Sequence, residues 1–133
     1  MEKNIQSPGR YRDRTVEYAG VLGENIEIVS ANAINYYDAL HPRNHPDLVT
    51  IDGKLFVPGD KELNPLVIIV PGSLGVGPNH ETHAGTLVSE GYAVFVLDPF
   101  GARSVESTVT NQTQYSFAAS ALDVLMTYRK LSE

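Results

Sequence analysis

The chain has 133 residues, 42% of them hydrophobic, 20% charged and none cysteine, which is the composition of one soluble globular domain and excludes a disordered or multi-domain design. A chain of about 150 residues buries roughly 68–70% of its unfolded surface, so a core forms without disulfides or thiolate-bound zinc. Ten Lys plus Arg against sixteen Asp plus Glu give a formal charge of −6, which repels nucleic-acid phosphate and anionic lipid and argues against either as a partner.

The first fifteen residues contain no apolar h-region, and no stretch approaches the ~20 apolar residues that cross a bilayer, so the expectation is a cytoplasmic chain with no membrane partner. Arg10, Arg12 and Arg14 are interrupted by Asp13 and followed by no aromatic ladder, the pattern of a solvated surface rather than a nucleic-acid arm. Residues 1–49 read as a polar extension with short strands such as Ile26-Glu27-Ile28-Val29, and Tyr36 and Tyr37 read as packing residues. Asp52-Gly53, set between Leu48-Val49-Thr50-Ile51 and Leu55-Phe56-Val57, predicts a tight hairpin with both turn residues at positive φ.

From Leu66 the character changes. Leu66–Val70 and Tyr92–Leu97 are continuous apolar runs, which predict central parallel strands covered on both faces. Between them a helix is expected over residues 79–90, with Asn79 as N-cap, Glu81 in the first turn, Ala84, Leu87 and Val88 inward, and Gly91 as the stop. Tyr115, Ala118, Ala119, Leu122, Leu125, Met126 and Arg129 recur at helical spacing and predict an inward face on a helix over residues 112–132. The fold class is α/β, with edge strands leading into a parallel β-α-β-α unit.

Ligands of open parallel sheets sit at the carboxyl ends of the strands, which singles out residues 71–78 and 98–111. Three mechanisms compete for Pro71-Gly72-Ser73-Leu74-Gly75-Val76-Gly77-Pro78-Asn79-His80. Gly72 to Gly77 has the glycine spacing of a phosphate-binding P-loop, but Pro78 and Asn79 stand where the lysine and the hydroxyl belong. A dinucleotide turn is matched by Gly75, Gly77 and Asp98, with His80 in place of the third glycine; a nucleotide-binding Rossmann-like domain stays open as an alternative. The third mechanism uses small residues to bring exposed main-chain N–H groups close to a developing oxyanion. His80 and His83 lack a third ligand, and His41 and His45 lack carboxylates at fixed spacing, so no metal or other cofactor is expected.

The succession of strand, Pro71-Gly72-Ser73-Leu74-Gly75 turn and helix, then Glu90-Gly91-Tyr92-Ala93-Val94 and Leu97-Asp98-Pro99-Phe100-Gly101-Ala102-Arg103, resembles the α/β-hydrolases, in particular the N-terminal half of the dienelactone hydrolase family. The resemblance spans residues 50–133. It implies a carboxylic ester or lactone hydrolase acting through an acyl-enzyme, with the backbone N–H of Ser73 as one oxyanion donor. Gly72, Leu74, His80, Phe100 and Arg103 would line the substrate site, Arg103 holding a substrate carboxylate. Pro71 replaces a histidine that often opens the family's turn.

That family also needs G-x-[SC]-x-G, an acid and a histidine in that chain order. No serine here lies in such an elbow: Ser73 is in PGSLG, Ser89 in VSEGY and Ser104 in ARSVE. The expectation is therefore a chain inactive alone, its open sheet edge covered by a C-terminal half, by a second chain or copy that supplies strands, or by the N-terminal half folding back as an edge. A non-catalytic binding or assembly module with half a hydrolase fold is the alternative of a different class. Asp98 is expected to hydrogen-bond the backbone of the loop that follows it.

Overall fold

Strand β6 (Ala93–Asp98) is buried at every position, as its unbroken apolar run requires. It lies between two neighbours in a four-stranded sheet ordered β3-β4-β6-β5. Strand β5 (Leu66–Ile69) runs parallel to it, and β4 (Leu48–Phe56) runs antiparallel to both β6 and β3 (Glu24–Ala31). A separate two-stranded hairpin, β1 (Glu17–Tyr18) with β2 (Val21–Leu22), precedes them. The helices are α1 (Tyr36–Leu40), α2 (Pro78–Ser89) and α3 (Phe117–Leu131). This computed structural model describes residues 11–41, 47–59, 65–72, 75–103, 105 and 115–132. Among them no helix is long and apolar enough to cross a membrane.

The mixed α/β class and the parallel β5-α2-β6 unit agree with the sequence. The position of β5 does not: it is the outer strand, and its side chains are only partly buried. The hairpin expected at Asp52-Gly53 is also absent, because residues 48–56 form one continuous nine-residue strand in which Gly53 pairs with Ile26 on one side and Leu97 on the other. The glycine serves close approach. A Cβ there would stand 2.4 Å from the Phe95 ring and 2.5 Å from the Val96 carbonyl oxygen. A tight hairpin among the described residues lies earlier, at Ala19 and Gly20, whose φ angles are +50° and +80°.

Residues before 50 supply one of the four strands of the sheet, β3, which pairs with β4 along all eight of its positions. They also enter the core. Tyr11, Val16 and Tyr18 pack with Phe56, Ala84, Val88, Val94 and Val96 between one sheet face and α2, and the Tyr18 and Phe56 rings lie 4.4 Å apart. The opposite face carries Ile28, Ile51, Phe95 and Leu97 against α3. A seam of small residues, Ala31, Ala33, Ala39 and Ala118, joins α1, the end of β3 and α3 around Leu122.

The N-cap of helix α2 lies two residues earlier than expected. Gly77 rather than Asn79 is its N-cap, followed by Pro78, whose missing N–H and fixed φ suit a first helical position. Gly91 ends it at φ +94°, and Ala84 and Val88 face inward as the spacing requires. In α3 the buried stripe is Ala118, Ala119, Leu122, Asp123 and Thr127, with Met126 beside it. Leu125 is 49% exposed and Arg129 is exposed, so the stripe is rotated from the expected one toward a carboxylate. Residues 112–114 of the expected helix lie outside the described residues, and Ser116 caps α3 by accepting the Ala119 N–H at 2.9 Å. Tyr36 and Tyr37, expected to pack, are 62% and 70% exposed on the short α1.

Candidate functional site

Parallel pairing puts the carboxyl ends of β5 and β6 on the same side, and β3, which runs the same way as β6, ends there too. This end gathers the glycine turn, the start of α2, the Asp98 turn and the residues after Ala31. The glycine turn closes by the Gly75 N–H donating to the Gly72 carbonyl at 3.0 Å, with Gly75 at φ +76°. Phe100 lies against it, 3.3 Å from where a Cβ on Gly75 would stand. Gly72 is exposed, with open space around its Cα. Ser73 and Leu74, the centre of the expected oxyanion loop, lie outside the described residues.

His80 is in the first turn of α2, and its Nδ1 accepts the Gly77 N–H at 2.9 Å. That bond fixes the tautomer: a neutral ring accepting at Nδ1 carries its proton on Nε2 and offers a donor there. The side chain caps the helix that the glycine turn enters. His83, one turn further on, is exposed. His41 stacks on Tyr37 at 4.1 Å and its Nδ1 lies 2.8 Å from the Tyr37 carbonyl oxygen, while His45 lies outside the described residues. Among the described residues no group of three His, Cys, Asp or Glu side chains is placed to hold a metal ion.

Asp98 ends β6 with its Oδ1 accepting the Phe100 N–H at 3.2 Å and the Gly101 N–H at 3.1 Å, the backbone-holding part expected of it. Phe100 is 5% exposed and meets the Tyr115 ring edge-on at 5.5 Å. It is a wall of this end of the sheet.

Arg103 is committed elsewhere. Its Nε donates to Asn32 Oδ1 at 2.6 Å, its Nη1 to the Pro99 carbonyl and to Asp123 Oδ2 at 2.8 and 2.7 Å, and its Nη2 to Asp123 Oδ1 and the Ala31 carbonyl at 3.0 and 3.4 Å. Those are all five N–H donors of a guanidinium, so none remains for the substrate carboxylate expected of this residue. The structure thus corrects that assignment: Arg103 is an internal tie.

Asp123 is the residue that periodicity misses. An aspartate in the middle of a helix reads as solvent-facing, yet this one is fully buried and also accepts from Ser30 Oγ at 2.6 Å and from the Tyr115 hydroxyl at 2.5 Å. Burial pushes the Tyr115 phenol far up from its ordinary value, and the Asp123 carboxylate beside it adds to the shift. Tyr115 therefore packs, as expected, but with its polar tip paired and its ring beneath Arg103 at 4.7 Å.

A second polar cluster lies on the α2 face. Glu27, Asp52 and Asp98 are cross-strand partners and so form one row. Arg12 Nη1 approaches Glu27 at 3.6 Å and Asp52 at 4.0 Å, and Arg14 pairs with Glu81 of α2 at 2.9 Å. These arginines clip the N-terminal segment to the fold. Lys54, 2% exposed, donates to Asn25 Oδ1 at 2.6 Å and to the Arg12 carbonyl at 3.2 Å. Burial holds its ammonium below the ordinary lysine value, an effect the Asp52 carboxylate partly offsets. An open cleft of about 400 Å³ lined by Arg12, Asn25, Ile26, Glu27, Asp52 and Lys130 lies beside this row.

No protein-family model matches the sequence, and no curated protein matches it.

Proposed function

We propose that this chain is the N-terminal part of a carboxylic ester or lactone hydrolase of the dienelactone hydrolase type. Its share of the chemistry is main-chain hydrogen-bond donation to the oxyanion, by the Ser73 N–H, with the attacking serine or cysteine lying outside these 133 residues. The observation that carries the reading is the glycine turn at the carboxyl tip of β5. It is closed by Gly75 onto Gly72, has Gly75 at φ +76° and leads straight into α2.

In an α/β-hydrolase one oxyanion donor comes from the loop between the third strand and the first crossover helix. Here β5 is the third strand of the large sheet in chain order, and α2 is the helix that crosses to its parallel neighbour. Two nearby amides are already spent within the chain, Gly75 on the Gly72 carbonyl and Gly77 on His80. The resemblance assigns the role to the Ser73 amide.

In the complete reaction a hydroxyl or thiol adds to the ester carbonyl, and the carbonyl oxygen takes the negative charge against the main-chain donors. Collapse expels the alcohol with a proton and leaves an acyl-enzyme, which water hydrolyses to the acid.

The test uses two substitutions in a polypeptide that joins these residues to a strand bearing G-x-[SC]-x-G. Ser73→Pro removes the amide hydrogen and lowers kcat by about 10²- to 10³-fold, the usual cost of one oxyanion donor, whereas Ser73→Ala keeps the amide and the rate. The 133-residue chain by itself hydrolyses p-nitrophenyl acetate no faster than its Ser73→Ala variant. A fluorophosphonate adduct on any of these residues would overturn the reading.

A further inference from the structure

The Asp123 carboxylate and the Arg103 guanidinium form a bidentate pair whose side chains are 0% and 6% exposed. A pair this deep cannot be replaced by water, so breaking it from either side strands a buried charge. It also reaches across three parts of the chain. Asp123 is on α3, Ser30, Ala31 and Asn32 belong to β3 and its exit, and Pro99 opens the turn after β6. The same turn is held from below by Asp98, and its backbone closes on itself through Arg103 and Val105, whose N–H groups both donate to the Phe100 carbonyl at 3.0 and 3.1 Å. Phe100 is thus fixed at both backbone ends, and its ring stands 3.3 Å from where a Cβ on Gly75 would be.

We infer that Asp123 and Arg103 are positioning residues for Gly75, acting through Phe100: the pair sets where the Phe100 ring stands, and the ring borders Gly75. The path runs from the interior of α3 through hydrogen bonds to the Phe100 turn, whose ring stands beside Gly75, a physical chain of the kind that carries coupling between sites. Gly75 has no Cβ, and one placed there would come within 3.3 Å of the Phe100 ring, so the ring is the side chain that borders this residue.

Hydrogen exchange in the isotope-labelled chain reads this coupling directly. Asp123→Asn keeps the size of the side chain but sets an amide where the guanidinium needs an acceptor. Exchange of the Gly75 amide then rises roughly three- to thirtyfold, the range set by couplings through packed networks, while the β4–β6 pairing at Phe56 and Val94 is unchanged. Phe100→Ala, with the ion pair intact, loosens Gly75 to the same degree, and the double variant adds nothing further. Arg103→Lys retains the charge but loses the fork, and it serves in place of Asp123→Asn if that variant does not fold. Unchanged exchange at Gly75, equal acceleration at Val94, or additive effects in the double variant would each overturn the inference. Because the readout is exchange rather than turnover, it succeeds or fails separately from the ester-hydrolase reading.

Discussion

Gly53 and Lys54 are adjacent, point to opposite faces of the sheet, and show what a single position can ask of a sequence. At Gly53 the space for a side chain is taken by the Phe95 ring and the Val96 carbonyl. Gly53→Ala therefore costs about 1–3 kcal/mol, the usual penalty for overpacking a core, read as a shift in urea midpoint at unchanged slope. A loss below about 0.5 kcal/mol, within the range of ordinary surface changes, would mean that the strand moves aside freely. At Lys54 the cost lies in the charge. Its folded form gives up a proton below the ordinary 10.5, so between that lower value and 10.5 the unfolded chain holds more protons and stability rises with pH. The gain disappears as pH falls through the folded value. The buried phenols of Tyr11, Tyr18 and Tyr115 work the other way, since their values are raised and stability is lost as pH climbs above 10. Subtracting a Lys54→Met variant isolates the lysine: the stability of wild type relative to the variant increases toward pH 10.5. A flat difference would show the ammonium solvated in the folded chain.

At the scale of elements, the sequence announces those whose burial is uniform and hides those defined by one contact. The run Tyr92–Leu97 declares β6, because a strand covered on both faces has no polar side to show. Asp52-Gly53 misleads, because the same dipeptide suits a positive-φ turn and a strand crossed by an aromatic ring, and only the location of Phe95 decides between them. The hairpin at Ala19-Gly20 goes unannounced, since alanine gives no hint of the left-handed conformation it adopts. Asp123 and Arg103 are similar: a helical aspartate reads as a solvated charge and the loop arginine as a partner for a substrate carboxylate, while their pairing with each other is a long-range fact. In α2 the histidine noticed for its closeness to the glycine turn turns out to cap the helix. His80→Ala frees the Gly77 N–H and costs about 1 kcal/mol, as loss of an N-terminal cap does, visible as a lowered thermal midpoint. His80→Asn, which keeps a side-chain acceptor, recovers part of it, and an unaltered midpoint in His80→Ala would show that the Gly77 amide is satisfied by water.

For the molecule as a whole the open question of energy is at the two borders of the four-stranded sheet. Among the described residues both β3 and β5 are outer strands there, each with a row of backbone donors and acceptors on its outer side. They are not equally adhesive. Strand β3 carries Glu24 and Glu27 in exposed positions, charges that oppose the approach of a like edge, whereas Leu66 to Val70 holds no charge and leaves Leu66 and Val70 each 39% exposed. Exposed Ile34, Tyr36, Tyr37, Leu40 and Phe117 add apolar surface near the carboxyl end of the sheet, but side chains without a free backbone edge give weaker direction to an encounter. Association of the isolated 133-residue chain should therefore run through β5. Light scattering over increasing concentration should show a rising mean mass, and the double substitution of Leu66→Lys with Val70→Lys should return it toward the monomer at unchanged circular dichroism. A wild-type chain that stays a monodisperse monomer would remove the premise, while an associating chain indifferent to the two lysines would shift the contact to β3 or to the aromatic surface.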